Sequence, residues 1–248
     1  MNDSISYVFL VFLIFSFCGY ICEIIFSSLY QKKLVNRGFL CGPYCPIYGV
    51  GSLFILFSLL RFEEDPVIVF LLGAIITSCL EYFTSFLLEK IFHNKWWDYT
   101  EMKFNINGRI CLQNTLLFGL GSLIIIYLGY PIVCNLLLPL SSKNQLILAL
   151  IFCFIFIIDC IYSFIIAYNL RNRLIICEEL KNEKLAKIPG MLEKLIKSKV
   201  TEFKTYPKRL LEAFPNLKKY NAKELDMMKK IRDKTQRKKK NNQTIKKK

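Results

Sequence analysis

Four acidic side chains, Glu23, Glu81, Glu89 and Asp159, interrupt or border long uncharged apolar runs of this 248-residue chain. A single ionised acid at the centre of a bilayer costs at least ~2.5–3.5 kcal/mol even on the lenient insertion scale. Such groups therefore turn toward protein or water rather than lipid. Together they could hold a cation, a proton or a cationic solute. Alternatively, one carboxyl group whose proton affinity is raised by burial could act as acid or base on a lipid headgroup. Against these acids stands one cation at comparable depth, Arg109, with Asn114 one turn further along. No His, Ser or Cys arrangement accompanies them, so no catalytic residue is assigned.

Spacing groups the acids by face. Ser16, Tyr20, Glu23 and Ser27 fall at i, i+4, i+7 and i+11, one stripe of a helix. Thr77, Glu81, Thr84/Ser85 and Glu89 make a second stripe, and Asp159, Tyr162 and Ser163 a third. Three such helices should turn their stripes toward one another, around a polar pocket open to the cytoplasm; the alternative is that the acids are neutral and merely bond neighbouring helices.

The elements that carry these stripes are membrane helices, since about 20 apolar residues cross a ~30 Å hydrocarbon core. The chain is 54% hydrophobic and only 21% charged. Residues 4–31, 38–60, 66–88, 110–142 and 144–170 supply five spans, the fourth with a surface segment around Gly129-Tyr130-Pro131. Lys32, Lys33 and Arg37, and then Lys90, Lys95, Lys103 and Arg109, lie in alternate loops. The positive-inside bias then sets the N-terminus outside and the C-terminus in the cytoplasm. At 1.5 Å per residue from the inner ends, Glu23 lies about 10 Å deep, and Glu81 and Asp159 about 15 Å. The first apolar run lacks a basic n-region and a small-residue cleavage site, and reads as a retained helix.

The second span should be broken. Between residues 38 and 46 stand Gly38, Gly42, Pro43 and Pro46, leaving 14 residues from Ile47 to Leu60, about 21 Å of helix. Non-helical backbone at membrane depth is tolerated only where protein buries it or it lines a water-filled cavity. Broken helices of this kind build substrate sites with free N–H groups. The alternative is a short helix capped by Pro43 and Pro46 in the headgroup layer. Tyr44, inside this segment, joins the pocket candidates. After the third span, Trp96, Trp97 and Tyr99 suit an interfacial belt. Asn107-Gly108 is a turn that delivers Arg109 toward Glu89 or Glu81.

Neither a metal nor a cofactor is expected. The ten cysteines lie mostly in spans, as buried, inert thiols, and Cys41 with Cys45 is a single pair. The one histidine, His93, is no zinc partner for it.

Three segments carry a family resemblance: Gly42-Pro43-Tyr44-Cys45-Pro46-Ile47-Tyr48-Gly49-Val50-Gly51, the run from Glu81 through Trp96-Trp97-Asp98-Tyr99, and Asn107-Gly108-Arg109-Ile110-Cys111-Leu112. Over roughly residues 5–170 the chain resembles the "putative ABC-transporter type IV" permease family of Gram-positive bacteria. Arg209-Leu210-Leu211 and Ala213-Phe214-Pro215 look like that family's cytoplasmic tail. Thr100 and Thr115 stand where Ser is expected, conservative departures. The resemblance implies a bacterial inner-membrane permease subunit and supplies neither substrate nor catalytic residues. No Gly-x-x-x-x-Gly-Lys-Ser/Thr run occurs in the chain. An ATPase would therefore be a separate polypeptide docking on loop 90–109 or the early tail. A pore would need at least a homodimer.

Charge divides the chain into a transmembrane domain (1–170), a basic helical tail (171–233) and a Lys-rich disordered end (234–248). Residues 1–169 hold nine Lys/Arg against ten Asp/Glu, and the remainder 25 against nine. The fifth helix should run on toward Lys187, stopped by Pro189-Gly190, and a basic amphipathic segment around 191–199 should follow. Anionic headgroups of the inner leaflet are the partner this tail fits. Nucleic acid is not expected, for want of a motif or aromatic platform. The reading is an all-α polytopic membrane protein, a permease subunit with an acidic pocket. The alternatives are an intramembrane lipid-modifying enzyme and a scaffold that docks partners through its tail.

Overall fold

The computed structural model of the chain describes residues 4–32, 38–92 and 95–181, and for residues 30, 31 and 169–181 the backbone only. The expectations for the tail beyond 181, for His93, and for Lys33 and Arg37 lie outside the described residues. Six helices and one small hairpin make up the described fold.

Helix α1 (Ile5–Gln31) starts after an extended Ser4 and ends where Lys32 turns left-handed, at φ 51°. Its 27 residues reach about 40 Å, enough to cross a bilayer with some tilt. Helix α2 (Pro46–Leu59) begins with Pro in its first turn, where the missing N–H costs nothing, and Cys45 before it is extended, as a pre-proline residue prefers. A tight 3₁₀ turn, Leu60–Phe62, follows. Asp65 then caps α3 (Pro66–Phe92): one of its carboxylate oxygens accepts the N–H groups of Val67 at 3.0 Å and Ile68 at 3.1 Å.

Beyond α3, strands β1 (Asn105–Ile106) and β2 (Ile110–Cys111) pair antiparallel. The Arg109 N–H closes the turn on the Ile106 carbonyl at 3.0 Å, with Asn107 and Gly108 both at positive φ. That is the backbone an Asn-Gly pair favours in a hairpin. Helix α4 (Leu112–Ile124) then continues through a widened turn, Ile125–Gly129, into α5 (Tyr130–Leu137).

This continuity corrects the expected surface segment at Gly129-Tyr130-Pro131. Pro131 offers no N–H, and its ring would strike the carbonyl four residues back. In the π turn the Tyr130 N–H reaches five residues back, to the Ile125 carbonyl, so the proline is absorbed without leaving the helix path. Helix α6 (Ser142–Lys181) is the longest.

Four helical stretches have the length and apolarity to cross a membrane: Ile5–Leu29, Pro66–Phe92, Leu112–Leu137 and Ser142–Tyr168. The second expected span, residues 38–60, is helical only over the shorter stretch Pro46–Phe62, because residues 38–45 are not helical. Helices α1 and α2, α2 and α3, and α3 and α4 pack on one another. Tyr7, Val11, Phe15, Ile55, Leu59, Val69, Ile126 and Val133 form the centre of the apolar core. The outward faces are apolar as well: Phe57, Ile75, Leu128, Leu150 and Phe154 are more than half exposed, as a lipid-facing surface requires.

Candidate functional site

The non-helical residues 38–45 are held from across the fold. The Cys41 N–H donates to Asp159 Oδ1 at 3.0 Å and the Gly42 N–H to Asp159 Oδ2 at 2.8 Å. The Ser163 hydroxyl, one turn along α6, lies 3.1 Å from the Cys41 nitrogen and donates to Asp159 Oδ1 at 3.2 Å. Gly42 is required here, because a Cβ would lie 2.9 Å from Asp159 Oδ2 and strike the Tyr44 ring. The N–H groups freed by the broken helix are thus taken by an acid of the chain itself. Tyr44 lies against this latch, within the field of Asp159 and edge-on to Phe156 of α6. Tyr162, the third member of the α6 stripe, is 59% exposed and points elsewhere.

Glu23 and Glu81 meet in a different place. The Tyr48 hydroxyl of α2 donates to Glu23 Oε1 at 2.8 Å, and the Tyr99 hydroxyl donates to Glu81 Oε1 at 3.1 Å. Glu81 feels Glu23 directly, Asn114 of α4 reaches the Glu81 carboxyl group, and Tyr48 and Tyr99 act on each other. Glu81 is 7% exposed, and its Oε2 is buried with no hydrogen-bond partner among the described residues. Glu23 is half-buried. Gly19 makes room for the cluster, since a Cβ there would strike the base of the Tyr48 side chain. Outside the spans, burial first and then the Glu81 carboxyl group push the Tyr99 phenol well above its usual range, so Tyr99 stays a donor.

The third grouping lies at the hairpin. Arg109 and Glu89 form an ion pair at 2.6 Å, and Arg109 stacks over the rings of Tyr82 and Phe86, 5.3 Å from each centroid. Tyr82 also accepts the Asn107 amide at 2.9 Å and an Arg109 N–H at 3.3 Å. Trp97 Nε1 donates to the Arg109 carbonyl at 3.0 Å. Arg109 thus chooses Glu89 rather than Glu81.

Of the seven candidates, the structure brings Glu23, Glu81 and Asn114 together, sets Asp159 and Tyr44 at the backbone latch, and pairs Glu89 with Arg109. Sequence reasoning missed Tyr48 as a partner of Glu23. It also placed Tyr99 and Trp96 in an interfacial belt, whereas Tyr99 bonds Glu81 and Trp96 is buried, 6% exposed, among aromatic rings. A phenol beside basic residues reads alike in both roles. The cysteines differ from expectation too: Cys18, Cys22 and Cys79 are exposed on their helices rather than buried. Among the described residues no group of three His, Cys, Asp or Glu is placed to hold a metal ion.

Long apolar helices, a broken helix between them and acids at membrane depth define a multi-pass membrane protein. The model of the family described as putative ABC-transporter type IV matches residues 10–164, well over half of the chain. The chain belongs to that family and is a membrane transport component of ABC-transporter type. No curated protein and no solved structure matches it.

Proposed function

We propose that this chain is a permease subunit that relies on a separate ATPase and carries its cargo or coupling ion at the Glu23–Tyr48–Tyr99–Glu81–Asn114 cluster. One observation carries the reading: two acids from α1 and α3 face each other through neutral donors, and one oxygen of Glu81 is buried without a partner. Intramembrane acids of this kind mark ion or substrate pathways. A cation, a proton or a cationic solute suits the acid excess. Residues 38–62 complete a fifth crossing, so the hollow opens to the cytoplasm of a bacterial plasma membrane and the basic tail meets anionic lipid. The ATPase docks on loop 90–109 or the early tail, and two copies of the chain line the pore.

The test is purification of the tagged chain from its native membrane. A P-loop ATPase should accompany it in fixed stoichiometry. In the reconstituted complex Glu81→Gln should lower ATP turnover, whereas the lipid-exposed Ile75→Val should leave it unchanged. A chain that purifies alone, or a complex indifferent to Glu81→Gln, overturns the reading.

A further inference from the structure

Resting on that reading, we infer that the species bound at the cluster is a proton, carried by Glu81. Among the described residues, the groups in and around the cluster come from several elements. Glu23 comes from α1, Cys45 and Tyr48 from the start of α2, Tyr99 from the loop after α3, and Asn114 and Cys111 from α4 and its approach. None of these carries positive charge. Arg109, the cation of comparable depth, is spent on Glu89. An ionised Glu81 would then be a buried anion beside a second acid, held only by neutral donors, an arrangement that burial penalises heavily.

The choice among cations follows from the room at Glu81. Its Oε2 has no surface that a water molecule can reach. A hydrated ion or an ammonium group cannot touch such an atom unless the helices part; a proton needs no space. The described residues also lack the three-ligand grouping a metal would use. Tyr99 fixes the position of the proton. Because its phenol only donates, Glu81 Oε1 is an acceptor, and Oε2 is the oxygen left to bear hydrogen.

Infrared difference spectroscopy tests this on the full chain in phosphatidylethanolamine–phosphatidylglycerol vesicles at neutral pH. The expected result is the carbonyl stretch of a protonated acid that moves in D₂O, disappears in Glu81→Gln and changes frequency in Glu81→Asp. The Asp variant guards against loss of fold in the Gln variant. If Glu81→Gln removes a carboxylate band instead, or no band at all, the inference is overturned. ATP turnover of the complex separates the two readings. Loss of the acid band with turnover intact leaves the proton on Glu81 and ends the transport role. Loss of turnover without an acid band keeps the site and ends the proton.

Discussion

Removing the Asp159 carboxylate should loosen the broken segment of the second helix. Asp159→Ala strips the Cys41 and Gly42 N–H groups of their acceptor, at 3.0 and 2.8 Å. A buried donor left unpaired costs about 1–3 kcal/mol. Asp159 is half-buried and Cys41 exposed, so water replaces part of the loss, and Ser163 still lies 3.1 Å from the Cys41 nitrogen. A working figure of about 1–2 kcal/mol for the latch follows. At 1.4 kcal/mol per factor of ten, amide exchange across residues 38–45 should quicken roughly 5- to 30-fold. Asp159→Asn keeps one acceptor oxygen but turns an NH₂ toward a donor, and should fall between wild type and Ala. Hydrogen–deuterium exchange with fragmentation, on protein in lipid nanodiscs, resolves these amides. If exchange in Asp159→Ala matches wild type while distant helices are unchanged, the latch does not hold the segment and the reasoning fails.

Three further outcomes follow from the other groupings. Arg109→Ala should lower the thermal midpoint of the purified protein, and Arg109→Lys should recover little, because an ammonium lacks the planar fork that stacks on Tyr82 and Phe86. Full recovery by Lys would show that charge alone matters. Gly19→Ala should push the Tyr48 side chain off Glu23 and lower ATP turnover, as Glu23→Gln should. Unchanged turnover in Gly19→Ala, with Glu23→Gln impaired, would remove Tyr48 from the site. The Tyr99 phenol, raised by burial first and by Glu81 next, should stay un-ionised as pH rises past the usual tyrosine range. In the ultraviolet difference between wild type and Tyr99→Phe, phenolate absorbance should therefore appear only under stronger alkali, and earlier in a Glu81→Gln background.

Much of this was legible because membranes punish polar groups in proportion to depth. The acids stood out by type alone, and Pro43, Pro46 and the glycines announced a break that α2, 14 residues long, reproduces. Helical spacing also grouped Ser16, Glu23 and Ser27 correctly, and both serines are buried. Partners distant in sequence were a different matter. Asp159 meets Gly42 across 117 positions, and nothing in either neighbourhood names the other. The third stripe suffered for that reason: Asp159 and Ser163 turn to the backbone of Cys41, not to the other acids. Pro131 misled because a π turn leaves no sequence mark beyond the proline that it accommodates.

The division of the acids is what gives the cluster its chemistry. Of the carboxyl groups that enter the membrane region, Glu89 and Asp159 are tied to strong partners. Glu89 has the Arg109 guanidinium, and Asp159 has two backbone N–H groups and a hydroxyl. Both have their oxygens held by partners, so both suit a structural part. Glu81 has one phenol, one amide and a neighbouring acid, and an oxygen with nothing to bond among the described residues. A fold that needed these acids only for cohesion would have no cause to leave the most buried one least satisfied. Charge neutralisation of Glu81 should accordingly spare the fold and change function, whereas neutralisation of Glu89 or Asp159 should chiefly weaken the fold.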